Sequence, residues 1–214
     1  VGLFLTIRYG VVQVRRFPEA LRAMTARQAP GATGVLSPFQ AFMTALAASI
    51  GTGNIAGVAT AIISGGPGAL FWIWIYGFVA TAIKFSEAVL GVKYRETIGD
   101  RVQSGPMYYL RDGVKSPALA WTYALVAGVA ALTTTPFTQP NSIAVAMNHV
   151  FPSGTMDLPV IGTVPRTALI IGLAVAVLTW AVIIRGIKGI GRAAETLTPL
   201  KVGLYLIGGI VVIV

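Results

Sequence analysis

The residues of this chain with the most to offer chemically are a run of small ones. Ala47-Ala48-Ser49-Ile50-Gly51-Thr52-Gly53-Asn54-Ile55-Ala56-Gly57 lies in the middle of an apolar stretch from Phe39 to Ile63. At about 1.5 Å per residue that stretch is long enough to cross a hydrocarbon core roughly 30 Å thick. Glycine costs a helix about 1 kcal/mol relative to alanine, and Gly51 and Gly53 flank Thr52, so a local break is expected near membrane depth. Such a break leaves N–H and C=O groups unpaired. This is tolerable only where the segment is packed in protein or lines a cavity whose occupant pairs with them. The chemistry on offer is therefore backbone coordination of an ion or a polar solute. The competing explanation is a close helix contact, because Gly53 and Gly57 also satisfy the GxxxG spacing. Asn54 weighs against it, since a carboxamide near the membrane centre needs a partner.

Two further groups stand out. Thr133-Thr134-Thr135-Pro136-Phe137-Thr138-Gln139-Pro140-Asn141-Ser142 is a polar patch inside an apolar region. Its two prolines each remove a backbone donor and free a carbonyl, so the patch either lines a site or is a kink satisfied by threonine hydroxyls. Gln139 is the residue there hardest to account for by packing. Lys84 and Glu87, three residues apart, share one face of a helix and are expected to pair. That pair is either a snorkelling lysine with its neutralising partner or a relay for protons or ions.

Other chemistries are excluded. There is no cysteine and only one histidine, His149, which leaves no disulfide, thiolate site or histidine-ligated metal. No His-Asp or Glu-Glu pair, HExxH or GxSxG occurs, and Gly51-Thr52-Gly53-Asn54 lacks the Lys-Ser/Thr ending of a phosphate loop, so an enzyme is not expected.

The elements that position these residues follow from hydropathy. Of the 214 residues, 55% are apolar and 11% charged, and the mean hydropathy is +0.77, which marks an integral membrane protein. Five complete crossings are predicted. The first starts with Ser37 as N-cap and Pro38 at the first helical position and runs to Ser64. A turn at Gly65-Gly66-Pro67-Gly68 leads to the second, Ala69 to Val92, with Phe71, Trp72, Trp74 and Tyr76 as an aromatic belt. The third begins near Ala118 and remains apolar to Phe151. The fourth runs from Thr167 to Ile184. The fifth, Ala193 to Val214, is interrupted near Pro199, with Lys201 placed to snorkel. Before them, Val1 to Ile7 reads as the end of a helix, and Glu19 to Arg27 as an amphipathic helix at the inner leaflet beside Pro18 and Pro30. Between the second and third crossings, Gly105 to Leu110 reads as a short surface helix. No internal repeat is visible, and the abrupt apolar ends read as those of a fragment.

The net charge of +9 is distributed by topology. Arg8, Arg15, Arg16, Arg22 and Arg27, then Lys93, Arg95, Arg101, Arg111 and Lys115, then Arg185, Lys188 and Arg192 make up 13 of the 16 basic residues. The alternate connections hold one. The positive-inside rule therefore assigns residues 8–36, 93–116 and 185–192 to the cytoplasm, with membrane lipid rather than nucleic acid as the partner of the charge.

The sequence resembles the alanine or glycine:cation symporter family, the sodium:alanine symporters. The resemblance rests on Gly51-Thr52-Gly53-Asn54-Ile55-Ala56-Gly57 with its continuation to Ile62, on Gly65 to Trp72, and on Lys84-Phe85-Ser86-Glu87 leading to Val92-Lys93-Tyr94-Arg95-Glu96. Gly105 to Tyr109, Gln139, Asn141-Ser142 and Ile187 to Gly191 complete it. The chain departs from the family pattern at Thr135-Pro136 and Pro140.

The resemblance implies an all-α protein of the leucine-transporter type, built on two inverted five-helix repeats. Residues 1–36 would then be the end of a peripheral helix and a basic segment, and residues 37–214 the first repeat, with a broken first core helix. It implies sodium-coupled symport of a small neutral amino acid, alanine or glycine, across the plasma membrane of a prokaryote, with Na⁺ as coupling ion and no covalent cofactor. By the same resemblance, Gly51, Thr52, Gly53 and Asn54 would bind the substrate, with Gln139 reaching it from the third crossing. The carbonyls of Ala47 and Ile50 would be part of a sodium site. A different class remains open, an ion channel using the Gly-Thr-Gly carbonyls as a filter.

Overall fold

The computed structural model describes residues 1–26, 34–99, 101–133, 135–159 and 162–213. Arg27, Pro30, Thr134 and Val214 of the expectations above lie outside the described residues, as do the side chains of Arg101, Thr135 and Pro136.

The helices are α1 (Gly2–Arg8), α2 (Val12–Arg15), α3 (Phe17–Thr25), α4 (Pro38–Ser49), α5 (Thr52–Gly65), α6 (Gly68–Lys93), α7 (Pro106–Asp112), α8 (Pro117–Thr133), α9 (Thr135–Val150), α10 (Arg166–Ile183) and α11 (Gly186–Ile213). Among the described residues four stretches are long and apolar enough to cross a membrane, with α8 and α9 counted as one, or five if the bent pair α4 and α5 forms a single span. Burial is inverted relative to a water-soluble protein. Trp74, Leu173 and Ile207 are exposed along these helices, while the few buried side chains are mostly small. Apolar surface on this scale requires a non-aqueous surrounding.

Three expectations change. The chain is mostly rather than wholly helical: β1 (Glu96–Ile98) pairs antiparallel with β2 (Arg101–Gln103), and β3 (Thr155–Leu158) with β4 (Gly162–Pro165). Both hairpins sit in connections between helices, where short extended segments pair their own backbone groups. Gly99 (φ 60°) and Gly162 (φ 84°) take the left-handed conformations such turns favour. Secondly, residues 186–192, which the predicted spans leave as a connection between the fourth and fifth crossings, form the first turns of α11, which starts at Gly186 (φ 64°). Thirdly, Pro199 does not interrupt α11, and Pro140 lies inside α9. Pro136 falls in the first turn of α9, where no intrahelical donor is required.

The contacts divide the chain into two compact units, residues 1–39 with 55–129 and residues 40–54 with 130–214. In the first, α1 packs on α6 so closely that a Cβ on Gly2 would lie 2.5 Å from Val79 Cγ1. Gln13 Nε2 joins the two helices by donating to Thr6 Oγ1 (2.8 Å) and to the Phe78 carbonyl (3.0 Å). Tyr9 meets Phe85 edge-on, with ring centroids 5.7 Å apart. In the second unit α4 lies against α11. Thr198, 2% exposed, donates to the Met43 carbonyl at 3.3 Å, and Gln40 Nε2 donates to Glu195 Oε2 at 2.9 Å.

Candidate functional site at the helix break

The predicted break is present. α4 ends at Ser49 and α5 begins at Thr52, with Ile50 and Gly51 outside both helices. The Ile50 N–H closes the last turn on the Leu46 carbonyl at 3.0 Å, and the Asn54 N–H returns to the Gly51 carbonyl at 3.1 Å. A helix end leaves carbonyls without intrahelical donors, and a helix start leaves N–H groups without acceptors. Here both kinds of orphan group face each other across two residues.

The orphan carbonyls of α4 find partners from two sources. The Asn54 carboxamide donates to the Ser49 carbonyl, so the side chain expected to need a partner staples the break from the far side. Lys201 of α11 supplies the rest. Its Nζ donates to the Ile50 carbonyl at 2.7 Å and to the Ala47 carbonyl at 3.1 Å. Lys201 is half-buried and turned into the protein, so it does not snorkel. Its signal in the sequence was a lysine inside an apolar helix, a functional residue by default.

Gln139 of α9 also reaches the break. Its Nε2 lies 3.2 Å from the position a Cβ on Gly51 would take. Gly51, Thr52, Gly53, Asn54, Gln139, Ala47, Ile50 and Lys201 all belong to the second compact unit. Gly51 and Thr52 are half-buried, and Gly53, Asn54 and Gln139 are exposed. A Cβ on Gly53 or Gly57 would meet no atom of the described residues within 4 Å, so no close helix contact uses the GxxxG spacing there. Gln139 borders a groove of about 790 Å³ between α9 and α10, whose wall includes Ile143, Gly172, Thr179 and Trp180.

Chemically, the break presents two complementary ends. The first turn of α5 offers N–H groups and the positive end of a helix dipole, which suits an anion such as a carboxylate. The end of α4 offers carbonyl oxygens and the negative end of its dipole, which suits a cation, and an ammonium is already there. No group of His, Cys, Asp and Glu able to hold a metal ion occurs among the described residues.

Lys84 and Glu87 do form the expected ion pair, Nζ to Oε2 at 2.6 Å on α6, in the first unit. Both are largely exposed, with side chains 78% and 45% accessible, so the pair is a surface one. In the connection that follows, Tyr109 has its hydroxyl pushed up from the ordinary tyrosine range by burial and by the Glu87 carboxylate.

Comparison with known proteins gives the family of the chain. A sequence model of the sodium:alanine symporter family matches residues 1–214. The sodium/alanine symporter AgcS of Methanococcus maripaludis is 42% identical over 99% of this chain and 45% of its own length. The amino-acid carrier protein AlsT of Bacillus subtilis is 32% identical over 100% and 43%. GlnT of the same bacterium, named "Probable sodium/glutamine symporter", is 33% identical over 96% and 40%. The chain thus spans somewhat less than half the length of these curated relatives. With the family model matching from end to end and AgcS aligned over nearly every residue, the chain belongs to the sodium:alanine symporter family, a family of transporters rather than enzymes.

Proposed function

We propose that this chain is the first inverted repeat of a leucine-transporter-type secondary transporter, which couples sodium entry to uptake of a small neutral amino acid by alternating access. The observation that carries the reading is the break between α4 and α5, with the Gln139 carboxamide against Gly51. The substrate carboxylate binds the N–H groups of Thr52 and Gly53 at the start of α5, where glycine lets it approach the backbone closely. Asn54 holds the break in shape through Ser49, and Gln139 contacts the substrate beside Gly51. The carbonyls of Ala47 and Ile50 make the same break attractive to a cation, and the Lys201 ammonium stands on them. Coupling requires that sodium and substrate stabilise the same conformation of the protein. The names of the relatives support an amino-acid substrate, alanine for AgcS and glutamine for GlnT. In this reading residues 8–36, 93–116 and 185–192 lie on the cytoplasmic side of a prokaryotic plasma membrane, as the positive-inside rule favours for basic segments.

The test is counterflow of radiolabelled alanine into proteoliposomes carrying the full-length protein. Accumulation that depends on sodium is expected. Uptake indifferent to sodium and lithium would remove the coupling from the proposal.

A further inference from the structure

The end of α4 concentrates acceptors. Ala47, Ser49 and Ile50 all present carbonyls within its last turn and the residue after it, at the negative end of the helix dipole. Ser49 is answered by a neutral amide, but Ala47 and Ile50 are answered by a charge that arrives from more than 150 positions away in the sequence. The ammonium of Lys201 is a compact cation with three donors, and two of its N–H groups point at these two oxygens, at 2.7 and 3.1 Å.

The surroundings leave that charge little other company. The groove beside Lys201 is walled by Ala47, Val182, Ala194, Leu197, Thr198 and Leu204, none of them titratable. The nearest carboxylate along α11, Glu195, accepts a hydrogen bond from Gln40, and α4 contains no charged residue. Thr198, one turn before Lys201, is locked to the Met43 carbonyl, so α11 is pinned along α4 in the register that delivers the ammonium to the break.

We infer that Lys201 is a tethered cation that occupies the position between the Ala47 and Ile50 carbonyls in place of a free sodium ion. The inference rests on the reading of the break as a transporter site. Sodium coupled by the protein then binds through other ligands, and this pair of carbonyls contributes no sodium to the stoichiometry. Lys201 also acts as a positioning residue: its charge holds the end of α4 in the geometry from which α5 starts.

The experiment is equilibrium binding of ²²Na⁺ to the purified full-length protein, comparing wild type with Lys201→Met and Lys201→Gln at constant ionic strength in choline chloride. Methionine keeps the length without charge, and glutamine also keeps N–H donors. Each variant is expected to bind one more sodium per protein at saturation than the wild type, because the vacated carbonyls now take the ion. Equal stoichiometry in wild type and variants overturns the inference. A wild-type measurement decides the matter should both variants misfold. A structure of the full-length protein in sodium chloride is expected to show Lys201 on the two carbonyls, and a sodium ion there with the lysine turned away overturns the inference. Absence of alanine counterflow by the wild type would instead count against the transporter reading, so the two failures are distinguishable.

Discussion

The Gln139 Nε2 atom lies 3.2 Å from the point where a Cβ of Gly51 would stand, so the amide of α9 rests directly on the backbone of the helix break. Residues 88 positions apart in sequence thereby share one small volume, and each limits what the other can become.

Gly51→Ala is expected to fold, because the crowded neighbour is the end of a flexible side chain. It displaces the Gln139 amide by a few tenths of an ångström. The half-saturating alanine concentration should rise about tenfold, or ~1.4 kcal/mol. Gln139→Ala should produce a similar loss. The double variant should lose less than the sum, with an interaction of about 0.5–3 kcal/mol. Additive losses in a double-mutant cycle of uptake kinetics would separate the two residues.

Asn54→Ala removes the donor that answers the Ser49 carbonyl, and a loss of about 1 kcal/mol in unfolding free energy is expected. Asn54→Asp should cost more than alanine, since an ionised carboxylate only accepts and would face a carbonyl oxygen. Thermal unfolding in detergent ranks the two variants, and an aspartate more stable than the alanine would exclude this role.

In the first unit, Gly2→Val is expected to pry α1 from α6. A Cβ there lies 2.5 Å from Val79 Cγ1 and 2.9 Å from the Val79 carbonyl, and the backbone atom cannot move aside alone. Overpacking of this kind costs about 1–3 kcal/mol. Faster amide exchange in α1, with α9 and α10 unchanged, is the expected signature.

The connection after α6 carries a pH-dependent clamp. Arg111 of α7 holds Asp112 through Nε (2.7 Å) and Nη2 (2.8 Å) and also reaches Glu96 of β1. The guanidinium keeps the Asp112 carboxyl below the ordinary aspartate range, chiefly by hydrogen bonding. A depressed carboxylate contributes stability that is present above its unfolded pKa of about 3.9 and is lost as pH falls through the lower folded value. Protection of α7 amides should therefore decline on acidification below about pH 4, and less steeply in Asp112→Asn. Because the pair is exposed, high salt should shrink the effect. Acid-insensitive exchange in the wild type would remove the clamp.

Much of this architecture was legible in the chain because its causes are local. The apolar runs that become α6, α10 and α11, and the short helix α7 after Gly105-Pro106, depend on residues within a few turns of one another. Gly51 and Gly53 weaken the helix where they stand, so the break needed no distant partner to be foreseen. Gln139 stood out as hard to account for by packing, but its place beside the break came through family resemblance, since nothing about its neighbours says which helix it will meet. Pro199 and the glycine-rich turns after Arg185 misled because helix propensity is a weak prior. α11 runs through both, and packing against α4 through Thr198 and Met43 is what such a prior omits.

The sequence by itself determined where the membrane helix fails and that its failure would leave carbonyls and N–H groups to be answered. Only the tertiary structure decided what answers them. Lys201 reads alone as a lysine reaching for the membrane surface. Once α11 lies along α4, its ammonium stands 3.1 Å from the Ala47 carbonyl and 2.7 Å from the Ile50 carbonyl, and in a low-dielectric interior a charge takes the acceptors within reach.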